Sequence, residues 1–575
     1  MAIFDYKGET DIQLIKDVLT LESVNFGSAT QADYSFNSVD GWKILDAETL
    51  GYSGCANKYG AFFGESLFTA SAECSVLGKY DASGNLISIG LSFWGTGTYA
   101  GNPLYVPNTV LDWASNTVIA LDESYSDIYI ANAYNNLLSC ISSFATANGL
   151  SGSDIIFTGH SLGGLSVNSM ATASAQGKWE GFFEDSSYIA LASPTQNLLD
   201  DKVLNVGYEG DPVFRVLEGS SLTWESPFSH DKPLETATNN IVTFNDYYAG
   251  LTDGCDIMSI VNISSWASHS GQDYSDGMLR IMDSEIYSYT HIDSNIVVSN
   301  LSEENRSTTW VQDLNKSIEH QGSTFIIGTA SNDLLQGGAN NDYLCGGAGN
   351  DTFKDHSGYN VIYGGEGENT YITECIVGDI NFARNSDGTL FFKYSNGDIT
   401  KAEDIHIVNA DKPFFSFLDL TLSLKTDFTV TEYGLQDGSD ILSYAQSYYA
   451  TEENSFTLIA DSDDNWLFAA DTDSIIYANG SHANIVSGYG NDTIYASGSG
   501  DSLLFYGDFG NDTIFNLSGQ ETFIFMENEF IADNDSYLNH LSFVDDNAVL
   551  TFGDSSVTLT GVNADSLADM HFIVA

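Results

Sequence analysis

Asp333, Asp342, Asp351, Asn360 and Asn369 stand nine residues apart, and this spacing restricts the chain around them more than any other feature does. The stretch GTASNDLLQGGANNDYLCGGAGNDTFKDHSGYNVIYGGEGENTYI approximates GGxGxDxUx, with U apolar. Such a nonapeptide winds into a calcium-binding parallel β-roll. Glycines allow the tight turn, Asp oxygens and turn carbonyls face an ion, and xUx forms a short strand with U in the core. Stacked carboxylates repel without a cation between them, so folding and calcium binding are expected to be coupled. A second array runs through Asn465, Ser474, Ala483, Asp492 and Asp501 and resumes, after a two-residue insertion, at Asp512 and Glu521. Its early turns lack the carboxylate. A continuous stack is expected in which the turns of Asp492, Asp501 and Asp512 bind calcium, as do those of Asp333, Asp342 and Asp351.

With 575 residues the chain exceeds one hydrophobic core and should divide into domains. Up to about Gly322 it mixes helical and strand patterns; from about Thr324 it is rich in Gly, Asp and Asn with short apolar runs. The excess of 79 acidic over 18 basic residues, a formal charge of -61, argues against a nucleic-acid partner and suits a protein that binds calcium. No stretch has the ~20 apolar residues of a transmembrane helix, and MAIFDYKGETDIQLIKD does not read as a cleavable export signal. Cys55, Cys74, Cys140, Cys255, Cys345 and Cys375 show no metal-ligand spacing and read as free thiols.

Gly159-His160-Ser161-Leu162-Gly163 is a GxSxG motif between an apolar strand, Ile155 to Thr158, and a helical stretch ending near Gly177. Strand, sharp turn and helix are the setting of a nucleophile elbow, in which the chain order is Ser, acid, His. A serine hydroxyl needs a base to take its proton and an acid to orient that base. The candidate bases are His230, His269, His291 and His320, and the candidate acids Asp200, Asp201, Asp211 and Asp231. Spacing does not choose among them. Asp211 follows the apolar run Val203 to Tyr208, as an acid at a strand end should, and His269 lies in the loop-like Ala267–Gly271. Leu162 would supply one oxyanion N–H, and Gly95 or Thr96, where the strand-like run Leu86 to Trp94 opens into Gly-Thr-Gly, the second.

Longer phrases carry a resemblance: GHSLGGLSVNSM at 159–170, ASPTQ at 192–196, VLNVGYEGDPVFR at 203–215, HDKP at 230–233, NNIVTFNDYYA at 239–249, TWVQDLNK at 309–316 and GSTFIIG at 322–328. Across nearly its whole length the chain resembles the bacterial lipases exported by type I secretion, of the Pseudomonas and Serratia type. The resemblance implies an α/β-hydrolase catalytic domain followed by an all-β C-terminal domain with a parallel β-roll of RTX nonapeptide repeats. It implies that Ser161 is the nucleophile, Asp211 the acid and His269 the base. It also implies a calcium ion near them held by Glu209, Asp231, Asn239 and Asn240, with Asn239 replacing the family's Asp. Val110, Leu111, Trp113, Val118, Ile119 and Leu121, with Asp112 and Asn116 four apart on one helical face, fit either an amphipathic lid of the family's kind or an ordinary core helix.

The expected division is a lipase domain over 1–322, a first roll array over 323–372, an intervening β-rich segment over 373–455, a degenerate second array over 456–525 and a β-rich end over 526–575. The last nine residues, Leu567–Ala575, resemble the family's uncleaved C-terminal export signal. The resulting expectation is a secreted, extracellular, monomeric lipase with several calcium ions. It would meet its lipid or ester substrate at an interface and leave the cell through type I machinery. The rivals are an esterase, polyesterase or phospholipase using the same triad, or a calcium-binding surface protein with an inactive hydrolase domain.

Overall fold

A computed structural model of the chain describes residues 2–27, 39–57, 60–65, 72–94, 123–197, 199, 202–214, 238, 240–249, 263–315, 320, 322–355, 357–417, 420–528 and 537–575. Two compact units emerge, Ile3–Met282 and Asp283–Ala575, the latter taking in Met1–Ala2. Their border precedes the composition shift near Thr324. The reason is local: strand Asn295–Asn300, which carries no repeat, already pairs in parallel with Thr324–Ile327, the first strand of the roll.

In Ile3–Met282 the described helices are α1 (Ile12–Gly27), α2 (Glu123–Ala147), α3 (Leu162–Ala175) and α4 (Gly271–Asp283). The strands are β1 (Trp42–Ile44), β2 (Ala61–Phe63), β3 (Glu73–Tyr80), β4 (Leu86–Phe93), β5 (Ile155–His160), β6 (Ser187–Leu191), β7 (Leu204–Val206) and β8 (Ile241–Asn245). One sheet runs β1-β3-β4-β5-β6-β7, with β2 also on β3. The pairs β4/β5, β5/β6 and β6/β7 are parallel and those on β3 antiparallel. Ile89, Leu91, Phe93, Ile155 and Phe157 share a core with Leu137, Leu138 and Ile141 of α2 and Val167 and Met170 of α3. Between them Gly90 turns to the opposite face, where an added Cβ would lie 2.5 Å from Leu21 of α1. Helices therefore cover both faces, which is why the central strands are almost continuously apolar.

The stripe expected over Ile128 to Ala147 is present: Tyr134, Leu138, Ile141 and Ala145 are buried, while Ala131 is half-buried. The segment that fits a lid or a core helix, including Asp112, Trp113 and Asn116, lies outside the described residues. Among the described residues the five cysteines are unpaired, and Cys74 and Cys345 are buried.

In the second unit each nonapeptide contributes one strand, and consecutive strands go to opposite sheets. Parallel partners are therefore 18 residues apart: Thr324 beside Asp342 and Tyr343 beside Val361 in one sheet, Leu334 beside Thr352 and Thr352 beside Thr370 in the other. The apolar U residues Leu335, Leu344, Phe353, Ile362 and Tyr371 are fully buried. Each such side chain is worth roughly 1.5–3 kcal/mol of burial. The second array repeats the plan with Leu467, Ile476, Ile485, Ile494, Leu503, Ile514 and Phe523 inside. Its register widens to 20 at Thr493 beside Thr513, absorbing the two-residue insertion. Hairpins fill the intervening segment, as at Asn381–Arg384 with Leu390–Lys393. His571–Val574 closes the unit as a parallel strand on Thr522–Met526.

The acidic side chains of the repeats tie successive coils together. Asp351 Oδ1 accepts the N–H of Asp333 at 2.8 Å, and Asp492, Asp501 and Asp512 accept those of Ser474, Ala483 and Asp492 at 2.7–2.9 Å. Burial pushes these carboxyls up, to about 7 for Asp342 and Asp351, about 6 for Asp492 and Asp501 and about 8 for Asp512. In an unfolded chain an Asp titrates near ~3.9, so the folded stack binds protons more tightly than the unfolded one. Without a divalent cation, the contribution of these aspartates to the stability of the roll is full below about pH 4 and falls as pH rises through the range 6 to 8. In chelator, circular dichroism should accordingly show more strand structure at pH 5 than at pH 8. Equal or greater order at pH 8 would contradict this reading of the stack.

Candidate active site

Strand β5 ends at His160 and α3 begins at Leu162, leaving Ser161 alone to make the turn at φ 60°, ψ -122°. A non-glycine residue held there carries strain of about 1–3 kcal/mol, which the surrounding packing must offset. The neighbouring glycines make the tight turn possible. A Cβ on Gly159 would lie 2.4 Å from the Gly163 carbonyl carbon, and one on Gly163 2.0 Å from the Phe93 oxygen. Ser161 donates its own N–H to Leu191 of β6 at 3.0 Å. Leu162 opens α3, where backbone N–H groups have no partner within the helix.

The structure brings Ser161, Asp211 and His269 together. His269 Nε2 is 3.0 Å from Ser161 Oγ, and Nδ1 is 2.9 and 3.0 Å from the two Asp211 oxygens. With both contacts made, Nδ1 carries the proton and Nε2 is the free acceptor. Asp211 follows β7 and is wholly buried. Val213 and Phe214 donate backbone N–H groups to its Oδ1 at 2.7 and 3.3 Å, and the Tyr274 hydroxyl donates to Oδ2 at 2.7 Å. Burial alone would raise this carboxyl, but His269 and the donors of Val213 and Tyr274 outweigh it and hold it below its ordinary range. It is an ionised acid inside the protein, compensated on every side.

Two residues that the sequence did not single out complete the surroundings. Tyr274, on the first turns of α4, accepts the Tyr208 N–H at 3.0 Å, and its ring stacks on Tyr208 at 4.0 Å. His160 lies against His269, ring centroids 4.7 Å apart, and burial pushes it down to about 3. A neutral His160 places no positive charge beside the His269 ring. Nothing in the spacing marks Tyr274, whose role comes from the fold of α4. His160 stood inside the GxSxG motif as a filler position.

Of the residues expected around a nearby calcium ion, Glu209 and Asn240 are described, and Asp231 and Asn239 lie outside the described residues. The Glu209 N–H donates to Ile241, next to Asn240, at 2.7 Å, so the two segments are adjacent. Gly95 and Thr96 also lie outside the described residues. His291 and His320, the other described candidate bases, belong to Asp283–Ala575.

In the roll, Asp333, Asp342, Asp351, Asp492, Asp501 and Asp512 are all buried. The outer oxygens of Asp351, Asp492 and Asp501 have no hydrogen-bond partner. A Cβ on Gly346 would sit 2.4 Å from Asp351 Oδ2, so glycine keeps a space open beside it. A buried, unsatisfied carboxylate oxygen beside such a space fits a calcium ion, whose ligands are oxygens. Among the described residues no three His, Cys, Asp or Glu side chains gather around one point. The repeat supplies one acid per turn and leaves the remaining ligands to backbone carbonyls.

Comparisons with known proteins agree with this architecture. The model of the RTX calcium-binding nonapeptide repeat (four copies) matches residues 321–353 and 346–374. Two lipases of Pseudomonas fluorescens are 47% identical over 291 residues and 45% identical over 285, half of this chain (50% and 49%). Those matches span 60% and 63% of the relatives' own lengths. The crystal structure of the extracellular lipase LipA from Serratia marcescens matches with a TM-score of 0.87 and 36% identity, covering 100% of both chains. The fold is an α/β hydrolase followed by a calcium-binding β-roll, and the chain belongs to the family of RTX lipases, the bacterial lipases exported by type I secretion.

Proposed function

We propose that this protein is an extracellular, calcium-dependent lipase that cleaves carboxylic esters, triacylglycerols among them, through an acyl-enzyme on Ser161. The observation that carries the reading is the 3.0 Å approach of His269 Nε2 to Ser161 Oγ, with Asp211 on the far side of the ring. Ser161 Oγ attacks the ester carbonyl carbon while Nε2 takes its proton, and Asp211 holds the ring and offsets the imidazolium charge. The carbonyl oxygen, now negative, is met by the Leu162 N–H at the start of α3, with Gly95 or Thr96 proposed as second donor. The C–O bond to the alcohol breaks, the alcohol leaves with the proton from Nε2, and the acyl group stays on Ser161. Water then repeats the sequence with His269 as base and releases the acid.

Calcium in the roll, supplied outside the cell, completes the carboxylate stacks. Extracellular calcium modules bind at roughly 10⁻⁴–10⁻³ M, which suits a chain exported by type I machinery that folds after export. Glu209, Asp231, Asn239 and Asn240 are proposed to hold a further ion that braces the loop carrying Asp211, a task of support rather than chemistry.

Replacing Ser161 with Ala should abolish ester cleavage and leave calcium-dependent folding intact; retained turnover would discard the assignment. Asp211→Asn should lower kcat on the order of 10⁴-fold. For Tyr274→Phe, which removes one hydrogen bond to a charged group, kcat should fall by about tenfold with little change in KM. An unchanged kcat in Tyr274→Phe would show that the phenol is packing alone. Rates on p-nitrophenyl esters of increasing chain length, with and without emulsified triglyceride, test the substrate class. A preference for soluble short esters would replace lipase by esterase.

A further inference from the structure

The sixth residue of each nonapeptide divides the repeats into three blocks. Asp333, Asp342 and Asp351 come first, and Asp492, Asp501, Asp512 and Glu521 come last. Between them stand the neutral Asn360, Asn369, Asn465, Ser474 and Ala483. The amide turns share one bond with the turns of Asp351, Asp492 and Asp501 and differ from them in the second side-chain atom, while the second oxygens of Asp333, Asp342 and Asp512 accept from Thr329, Gly338 and Ser487. Asn360 Oδ1 accepts the N–H of Asp342 at 2.9 Å and Asn369 Oδ1 that of Asp351 at 2.9 Å, the same link to the preceding coil that Asp351 makes to Asp333. Because the amide oxygen is committed to that N–H, the amide nitrogen must point the other way, into the turn.

There the nitrogen binds carbonyl oxygens. Asn360 Nδ2 donates to Ser357 at 2.9 Å, and Asn369 Nδ2 donates to Gly365 at 3.2 Å and Asp404 at 3.1 Å. Asn465 Nδ2 donates to the carbonyl and hydroxyl oxygens of Ser462, and Ser474 Oγ to Thr472 at 3.0 Å. A Cβ on Gly364 would lie 2.8 Å from Asn369 Nδ2, just as one on Gly346 would lie 2.4 Å from Asp351 Oδ2. The two atoms occupy equivalent seats. In one, a buried oxygen of Asp351 is unsatisfied; in the other, an N–H group already bridges to the turn. The amide nitrogen carries partial positive charge, so it both satisfies the carbonyls and opposes a cation in that seat.

We propose that Asn360, Asn369, Asn465 and Ser474 stand in for the cation in their turns, so that the middle of the roll unit folds without calcium and calcium is confined to two outer arms. The amide-closed coils then form a preformed template against which the arms at 333–351 and 492–521 stack when calcium arrives. This rests on the calcium-binding reading of the repeats and adds which turns are exempt from it.

Hydrogen exchange of the full-length protein, read by mass spectrometry in calcium and in chelator at pH 7.5, tests the division. Strands Tyr359–Tyr363, Asn369–Ile376, Trp466–Phe468 and Ile475–Ala478 should stay protected in both. Strands Leu334–Gln336, Thr352–Lys354, Thr493–Ala496 and Ser502–Tyr506 should exchange at least about tenfold faster in chelator. Equal calcium dependence in both sets would overturn the proposal, while no calcium dependence anywhere would overturn the calcium reading itself. Asn369→Asp should add one calcium ion by isothermal titration and make 369–376 calcium-dependent, whereas Asn369→Ala should lose protection there without adding an ion. Unchanged stoichiometry in Asn369→Asp, with 369–376 still protected in chelator, would also overturn it.

Discussion

Each carboxylate that this chain takes out of water has to be given hydrogen bonds or a counter-charge, because an uncompensated ion in the interior costs several kcal/mol. With 79 acidic residues against 18 basic ones, cations from the protein itself cannot meet that demand. The two units meet it differently. Asp211 is surrounded by donors: two backbone N–H groups, a phenol and an imidazole. Asp351, Asp492 and Asp501 give one oxygen to the neighbouring coil and keep the other without a protein partner, a seat that fits an ion.

The contrast explains what each unit can do. Around Asp211 the compensation is built from packed groups, so the carboxylate is fixed and His269 is held in one tautomer and one direction. On the proposed reading, in which His269 is the base, such preorganisation removes the need for rearrangement during the reaction. In the roll the repeats are of the calcium-binding kind, and on the proposed reading the compensation comes from solution, so that order would follow calcium supply. The strain at Ser161 belongs to the same economy of fixed parts: β5 and α3 pack on either side of one residue with positive φ and hold its hydroxyl toward His269.

Much of this was legible in the residues. The nine-residue period located the buried U positions, from Leu335 to Phe523, because alternation between a turn and a three-residue strand leaves one inward side chain per repeat. The elbow was legible because Gly159 and Gly163 flank a serine between an apolar strand and a helix. The period did not reveal that one coil takes two repeats, since opposite sheets receive alternate strands and partners fall 18 apart. Nor did it show that strand Asn295–Asn300 joins the roll's unit, because that strand has apolar residues but no turn signature. Spacing left four histidines open; the loop-like setting of His269 favoured it, and family resemblance strengthened that choice. Tyr274 was invisible, since a tyrosine beside a buried acid looks in sequence like any core aromatic.

The most direct test of the central claim, that Ser161 is activated by His269 and Asp211, is covalent trapping. The calcium-loaded protein is treated with a fluorophosphonate, and the modified peptide is mapped by mass spectrometry. One label per chain on Ser161, appearing in step with loss of esterase activity and absent in Asp211→Asn over the same interval, is the predicted result. Ester cleavage that survives complete labelling of Ser161, or a label on another residue that accounts for the lost activity, would contradict it.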